Sequence, residues 1–309
     1  MNALLIGDFI LDNYIFGDVN RISPEAPVPI FLENSSKKKI VLGGALNVGR
    51  NLNNLNNSVI LLGIIGIDIA GEKMLELIEK EGLKKDYIIR DDKSVTSQKT
   101  RFIANSQQLL RWDYEENTYS KLNEEKLITT MHSLMDKTDF VIISDYNKGV
   151  CSDSLINENI VAANKKKINV FIDPKGSDFY KYRNAFCITP NILETKAVYK
   201  KNLITDKNFE EACKFICDTF NIKTCIITRG KDGMTVYDSK KFCHIKSKAK
   251  DVFDVSGAGD TVIATLATYT AKGKNLFDAA KIANFAAQYV VGKFGTTPIT
   301  EEELNKYLT

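Results

Sequence analysis

The chain has 309 residues, 44% hydrophobic and 26% charged, with Lys+Arg 42 against Asp+Glu 39 and a formal net charge of +3. This is globular composition with enough apolar residues for a large core. So even a charge balance gives no reason to expect nucleic acid or an anionic membrane as partner, and the runs Lys37–Lys39 and Lys165–Lys167 read as solvated loops and helix ends.

The N-terminus, Met-Asn-Ala-Leu-Leu-Ile-Gly-Asp, has no basic region and no long apolar stretch. Neither a signal peptide nor a membrane span is expected, and the expected compartment is a reducing cytoplasm. Its apolar run predicts a strand over Ala3–Ile6. Residues Tyr14–Glu33 carry Pro24, Pro27 and Pro29, which neither a helix nor a central strand accepts. A helix is predicted near Ala45–Leu55, where Val48, Leu52 and Leu55 recur at i, i+4 and i+7. A strand over Val59–Leu62 and a helix over Gly71–Glu81 follow. Thr96–Tyr114 alternates weakly and has no helical stripe. With Tyr14–Glu33 it reads as edge strands forming a small lid.

Next come a helix over Glu124–Met135, a strand over Phe140–Ser144 and a helix over Asp153–Lys166. Strands over Val170–Asp173 and Phe186–Thr189 lead to a helix over Phe209–Phe220 and a strand over Thr224–Thr228. Helices over Gly257–Lys272 and Phe277–Val291 complete the series. Strands too apolar to face water, alternating with helices, argue for a mainly parallel sheet covered on both faces, an α/β fold. With no internal repeat and no linker, one domain over 1–309 is expected, its lid built from about 14–33 and 96–114.

Six cysteines are scattered, with no CxxC pair, and there are two histidines, His132 and His244. Cys213 and Cys217 share a predicted helix face, but no second pair stands at zinc-site spacing, so buried free thiols are expected.

The segment Asp251-Val-Phe-Asp-Val-Ser-Gly-Ala-Gly-Asp260 precedes an apolar helix. Gly257 and Gly259 allow a tight turn and close approach of a ligand. The N–H groups of Gly257, Ala258 and Gly259 then face outward at a helix N-terminus, which favours anions. Asp260 stands beside them, where it can accept a proton from an attacking hydroxyl. An acid after a glycine-rich turn also opens ordinary helices; Asp254 and the Ser256-to-Asp260 spacing make the pattern more specific.

That segment resembles the C-terminal signature of the ribokinase-like (PfkB) sugar kinases, and Gly43-Gly44-Ala-Leu-Asn47 resembles their N-terminal motif. The resemblance narrows to the branch that phosphorylates D-glycero-β-D-manno-heptose 7-phosphate. It is carried by Asp8-Phe-Ile-Leu-Asp12, Arg21-Ile-Ser-Pro-Glu-Ala-Pro-Val-Pro29, Gln107-Gln-Leu-Leu-Arg111, Ser144-Asp-Tyr-Asn-Lys-Gly149, Asp173-Pro-Lys-Gly-Ser-Asp178, Thr189-Pro-Asn-Ile-Leu-Glu194 and Val290-Val-Gly-Lys-Phe-Gly-Thr296. It implies a ribokinase-like three-layer α/β/α fold with a small β lid. The implied activity is ATP-dependent phosphorylation of the sugar's anomeric hydroxyl, with Asp260 as base and Gly257-Ala258-Gly259 as anion hole. A fused adenylyltransferase, found in many such proteins, is expected to be absent.

Position by position, Asn191 and Glu194 match a motif that organises Mg²⁺ and the nucleotide phosphates; a helix N-cap with its capping-box acid is the plainer reading. Thr228, Gly230 and Gly233 match a loop over the nucleotide, and Ala283, Asn284, Val290 and Val291 the adenine wall. Asp8, Asp12, Gly43, Gly44 and Asn47 match sugar-binding positions, with a turn residue as the alternative for Asp8. Arg21, Arg101, Arg111, Lys148 and Lys175 lie in the resembling segments, and at least two of them are expected to reach phosphates of the sugar or ATP. Asp254 and Ser256 match a K⁺ site of many relatives, and a lid-to-lid homodimer is implied. Two alternatives stand beside this: a kinase for another sugar or sugar phosphate, and a non-catalytic sugar- or nucleotide-binding regulator. A nicotinamide dehydrogenase is disfavoured because no Gly-x-Gly-x-x-Gly follows the first strand.

Overall fold

The first apolar run feeds two cores at once. Ala3 and Leu5 join one buried cluster and Leu4 and Ile6 the other. A strand buried on both faces belongs in mid-sheet. The computed structural model describes residues 1–115, 120–247, 255–293 and 296–308.

Its strands are β1 (Asn2–Gly7), β2 (Phe9–Ile22), β3 (Pro29–Glu33), β4 (Lys39–Gly44), β5 (Ser58–Gly66), β6 (Ile88–Asp91), β7 (Ser97–Ala104) and β8 (Gln107–Tyr114). They continue with β9 (Phe140–Ser144), β10 (Asn169–Asp173), β11 (Cys187–Ile188), β12 (Thr224–Thr228), β13 (Met234–Tyr237) and β14 (Phe242–Ile245). The helices are α1 (Ala45–Asn54), α2 (Ile69–Lys80), α3 (Lys121–Leu134), α4 (Asp153–Lys165), α5 (Ile192–Tyr199), α6 (Asp206–Phe220), α7 (Ala258–Ala271), α8 (Leu276–Val291) and α9 (Glu301–Leu308).

The large sheet runs β14-β13-β12-β11-β10-β9-β1-β5-β6. From β12 to β6 every pairing is parallel; β13 and β14 are antiparallel. One core lies under α1, α2, α7 and α8, with Leu52, Met74, Ile263 and Ala283 buried in it. The other lies under α3, α4 and α6, with Met131, Ile156 and Ile216. The three-layer α/β/α expectation is borne out. The helix α5 was not foreseen because it buries Glu194, Thr195 and Tyr199 and so shows no apolar stripe. The strands β6, β13 and β14 and the C-terminal α9 were also missed, each being short.

A second sheet has the order β3-β2-β7-β8, with β4 also on β2. It is larger than the lid read from sequence. β2 begins at Phe9 and pairs with Lys39–Gly44, so the Gly43-Gly44 motif ends a strand and turns straight into α1. The hairpin between β7 and β8 turns at Asn105 and Ser106, with φ of 51° and 62°, the left-handed pair suited to a twisted two-residue turn.

All six cysteines are free thiols, five of them buried, and burial pushes the Cys187 thiol up to about 12. Among the described residues, Cys213 and Cys217 join no cluster able to hold a metal, and no helix is long and apolar enough to cross a membrane.

Candidate active site

Parallel strands end on one edge of the sheet, and ligands of open α/β sheets bind outside those carboxyl ends. Here Asp8 follows β1, Tyr146 follows β9, Asp173 ends β10, Asn191 follows β11 and Thr228 ends β12. With the start of α7, Tyr146, Asp173, Asn191 and Thr228 enclose a cleft of about 140 Å³, lined also by Lys175, Glu194, Gly257, Gly259 and Asp260.

Asp260 sits in the first turn of α7 and is 5% exposed. Its Oδ2 accepts from Asn47 Nδ2 at 2.8 Å and its Oδ1 from the Tyr146 hydroxyl at 2.9 Å. Burial raises its pKa to about 6, Asp12 adds to the rise, and both hydrogen bonds and Lys99 oppose it. Gly257 caps the helix at φ 79°, and a Cβ there would meet Asn47 Nδ2 at 2.5 Å, so this turn requires glycine. A Cβ on Gly259 would meet nothing within 4 Å, so its backbone faces open cleft. The Ala258 N–H makes a long 3.3 Å turn bond to the Val255 carbonyl.

The residues expected on the sugar side separate into two groups. Asn47 reaches Asp260, and its own Oδ1 is buried without a partner. Asp12 Oδ1 pairs with Arg101 at 2.6 Å, and the bare Cα of Gly43 makes room for the Asp12 carboxylate. Gly44 turns into α1 at φ 56°. Asp8 lies lower. It is 1% exposed and accepts the backbone N–H groups of Tyr146, Lys148 and Val150 at 2.9, 3.1 and 3.0 Å. Instead of facing the cleft it anchors the loop after β9, and burial with nearby Asp145 raises its pKa to about 6.

Among the cations, Lys99 was passed over in the sequence, since a lone lysine in a weakly alternating strand gives no signal. It is directly opposite Asp12 on β2 and Asp113 on β8, half-buried, with its Nζ 5.2 Å from the Tyr146 ring centre. Burial depresses its pKa, which Asp12 and Asp113 partly restore. Arg101 lies two residues along β7, and opposite it on β8 is Arg111, paired with Asp113 at 2.9 Å. Lys99, Arg101 and Arg111 thus share one face of the small sheet. Lys148 pairs with Glu115, and Arg21 is exposed near the end of β2. Lys175 stands elsewhere, in the cleft and 3.2 Å from Glu194.

Asn191 and Glu194 form a full capping box at the start of α5, with both bonds 2.9 Å. Asp173 shares this cleft, and burial with the charges of Asp260 and Glu194 drives its carboxyl well above the ordinary range. That surplus of buried negative charge, all oxygen donors, suits a hard divalent cation. Beside it opens an apolar cavity of about 540 Å³ lined by Leu193, Thr228, Gly230, Gly233, Met234, Val262, Asn284 and Val291 among others. Gly233 has φ 90° and no room for a Cβ, which would meet the Ile245 carbonyl at 1.9 Å. Asn284 donates to the Lys246 carbonyl at 3.1 Å, bracing the wall. Ser256 precedes the turn into α7; its expected partner Asp254 lies outside the described residues.

A carboxylate at a helix N-terminus, an apolar cavity roomy enough for a nucleotide base and a two-sheet α/β frame suit an ATP-dependent carbohydrate kinase. The model of the pfkB family of carbohydrate kinases matches residues 6–303, and the chain belongs to that family. It is 40% identical over 303 residues to the bifunctional protein HldE of Actinobacillus succinogenes, covering 98% of this chain and 62% of that one. The chain therefore spans about 62% of the length of that relative. The fold is shared with Escherichia coli phosphofructokinase-2 in complex with substrates and products (TM-score 0.81, 18% identity, 98% and 97% of the two chains). It is also shared with Arabidopsis thaliana ribokinase complexed with ribose and ATP (TM-score 0.78, 18% identity, 99% and 98% of the two chains).

Proposed function

We propose that the chain transfers the γ-phosphoryl group of ATP to the anomeric hydroxyl of D-glycero-β-D-manno-heptose 7-phosphate, giving ADP and the 1,7-bisphosphate. The observation that carries this reading is the pair of surfaces on either side of Asp260. One is the apolar cavity of about 540 Å³, with room for a nucleotide base. The other is the cationic sheet face of Lys99, Arg101 and Arg111. A sugar that already bears a phosphate needs cations at the end away from its reacting hydroxyl. The resemblance of Arg21–Pro29, Gln107–Arg111 and Ser144–Gly149 to the heptose 7-phosphate kinases supports this acceptor.

Asp260 accepts the hydroxyl proton as that oxygen's electron pair forms the bond to the γ-phosphorus. The bond from phosphorus to the bridging oxygen breaks, its electrons leaving with ADP, and the proton passes from Asp260 to solvent. The N–H groups of Gly257-Ala258-Gly259, with the α7 dipole, stabilise charge on the group in transfer. Lys175 serves that same group. Asn191, Glu194 and Asp173 would hold Mg²⁺ and its waters, whose charge offsets that of the triphosphate. Ser256 with Asp254 would hold K⁺. We read residues 1–309 as one cytoplasmic kinase domain that forms a homodimer through its lid.

The test is an ADP-release assay across sugars and sugar phosphates. Turnover of the heptose 7-phosphate well above that of free mannose-like sugars is expected. A preference for an unphosphorylated sugar would overturn the acceptor and leave the kinase reading standing.

A further inference from the structure

Tyr146 lies in the resembling segment Ser144–Gly149 but drew no role from the sequence, and the fold fixes it at both its backbone and its hydroxyl. Its backbone N–H donates to Asp8, as do those of Lys148 and Val150 in the same loop. The preceding Asp145 accepts the Asn147 N–H at 2.6 Å and is itself held by the Tyr182 hydroxyl at 2.7 Å and Lys181 Nζ at 2.5 Å. The loop is thus pinned on both sides of Tyr146. Lys99 stands over its ring, and its hydroxyl donates to Asp260 Oδ1 while Asn47 donates to Oδ2.

We propose that Tyr146 is a positioning residue for phosphoryl transfer: with Asn47 it clamps the Asp260 carboxylate so that its remaining lone pairs face the acceptor hydroxyl, and its hydrogen bond favours the ionised form that can take a proton. The inference rests on the reading of Asp260 as the base. A phenol that donates to a carboxylate stabilises the charged state. Burial and the charges of Asp260 and Asp173 push the Tyr146 phenol itself well above its ordinary value, so it stays a donor. The charged groups facing Asp260 are Asp12 and Lys99 from the small sheet and Asp173 from the end of β10.

Tyr146→Phe removes only the phenolic oxygen. Asp8, which titrates near the same pH, keeps its three bonds because all come from backbone. Without the hydrogen bond Asp260 is harder to ionise, so the acid limb of the kcat profile moves to higher pH. A move of about one pH unit from a midpoint near 6 cuts kcat about fivefold at pH 6 and hardly at pH 8 through ionisation alone. The KM for ATP stays put. A second reading needs no turnover: carboxyl ¹³C NMR of the resting protein, with the Asp260 signal assigned by its loss in Asp260→Asn. In Tyr146→Phe that signal is expected to titrate at higher pH than in the unmodified protein. An unmoved titration together with an unmoved acid limb overturns the inference, whatever the role of Asp260. Near-normal turnover of Asp260→Asn would instead overturn the base reading, and the NMR result would still decide the hydrogen bond.

Discussion

Asp260 bears a charge where little water reaches it, so the residue proposed to take the proton also weakens the fold. Its folded pKa of about 6 lies above the ordinary value of 3.8, so the native state binds the extra proton between those values. Stability from this group is full below about pH 4 and falls as pH rises toward 6. The loss at pH 8 is about 3 kcal/mol at 1.36 kcal/mol per unit. Asp260→Asn is therefore expected to lose ~10² to 10⁴ in turnover while melting higher than the unmodified protein at pH 8. The gain should vanish by pH 4. Asn47 can accommodate the new amide because its own Oδ1 has no partner and can turn to accept. Melting curves at pH 4 and 8 check the sign.

The cations divide the same cleft by role. Lys99→Ala should raise the KM for the phosphorylated sugar roughly tenfold to a hundredfold, the scale of one charge-assisted contact. The KM for ATP should hardly change. Lys175→Ala should instead lower kcat, since that lysine sits on Glu194 beside Asp260. Parallel kinetics with both substrates separate the two; identical patterns would show that the sheet face does not meet the sugar phosphate.

At the scale of one element, the start of α7 joins the fold to the chemistry. The apolar helix is buried from Asp260 to Tyr269, so its N-terminus has a fixed position, and Gly257 supplies the left-handed turn into it. Alanine at this position meets both a positive φ and the Asn47 amide. The backbone strain alone is about 1–2 kcal/mol. Displacing Asn47 also breaks its bond to Asp260. Gly257→Ala should therefore lower the melting temperature and reduce kcat together. A variant that melts lower but turns over normally would show that the Asn47 clamp is dispensable.

Over the whole molecule, the small sheet has two unlike faces. One carries the charges described above. On the other, Leu110, Trp112 and Tyr114 of β8 are 58%, 54% and 45% exposed. Phe31 and Phe102 pack edge to face nearby on β3 and β7. An apolar edge strand left bare invites a partner, and a second copy is the one we propose. Light scattering at micromolar concentration should give a dimer, and Leu110→Glu with Trp112→Glu should give a monomer. A monomer from the unmodified chain would overturn the proposed pairing.

The alternation of apolar runs with helical stripes was enough to place six strands of the large sheet and seven helices, because each buries a long apolar face whose period survives in the sequence. The motif residues from Gly257 to Asp260 were legible for a similar reason, since a tight turn and a helix N-terminus are local and need particular residue types. What only the tertiary structure decided is everything that depends on pairing across distance. The strand Lys39–Gly44 joined the lid because β2 offered it an edge, and α5 formed on its cap and its neighbours without an apolar stripe. Asp8, expected on the sugar side, proves to anchor the 145–150 loop because three N–H groups converge on it. Lys99 and Tyr146 became visible only when β7 and the loop after β9 met over Asp260. Hydrogen bonds and charges between residues so far apart in the chain leave no period to read, since the fold alone determines which side chains face one another.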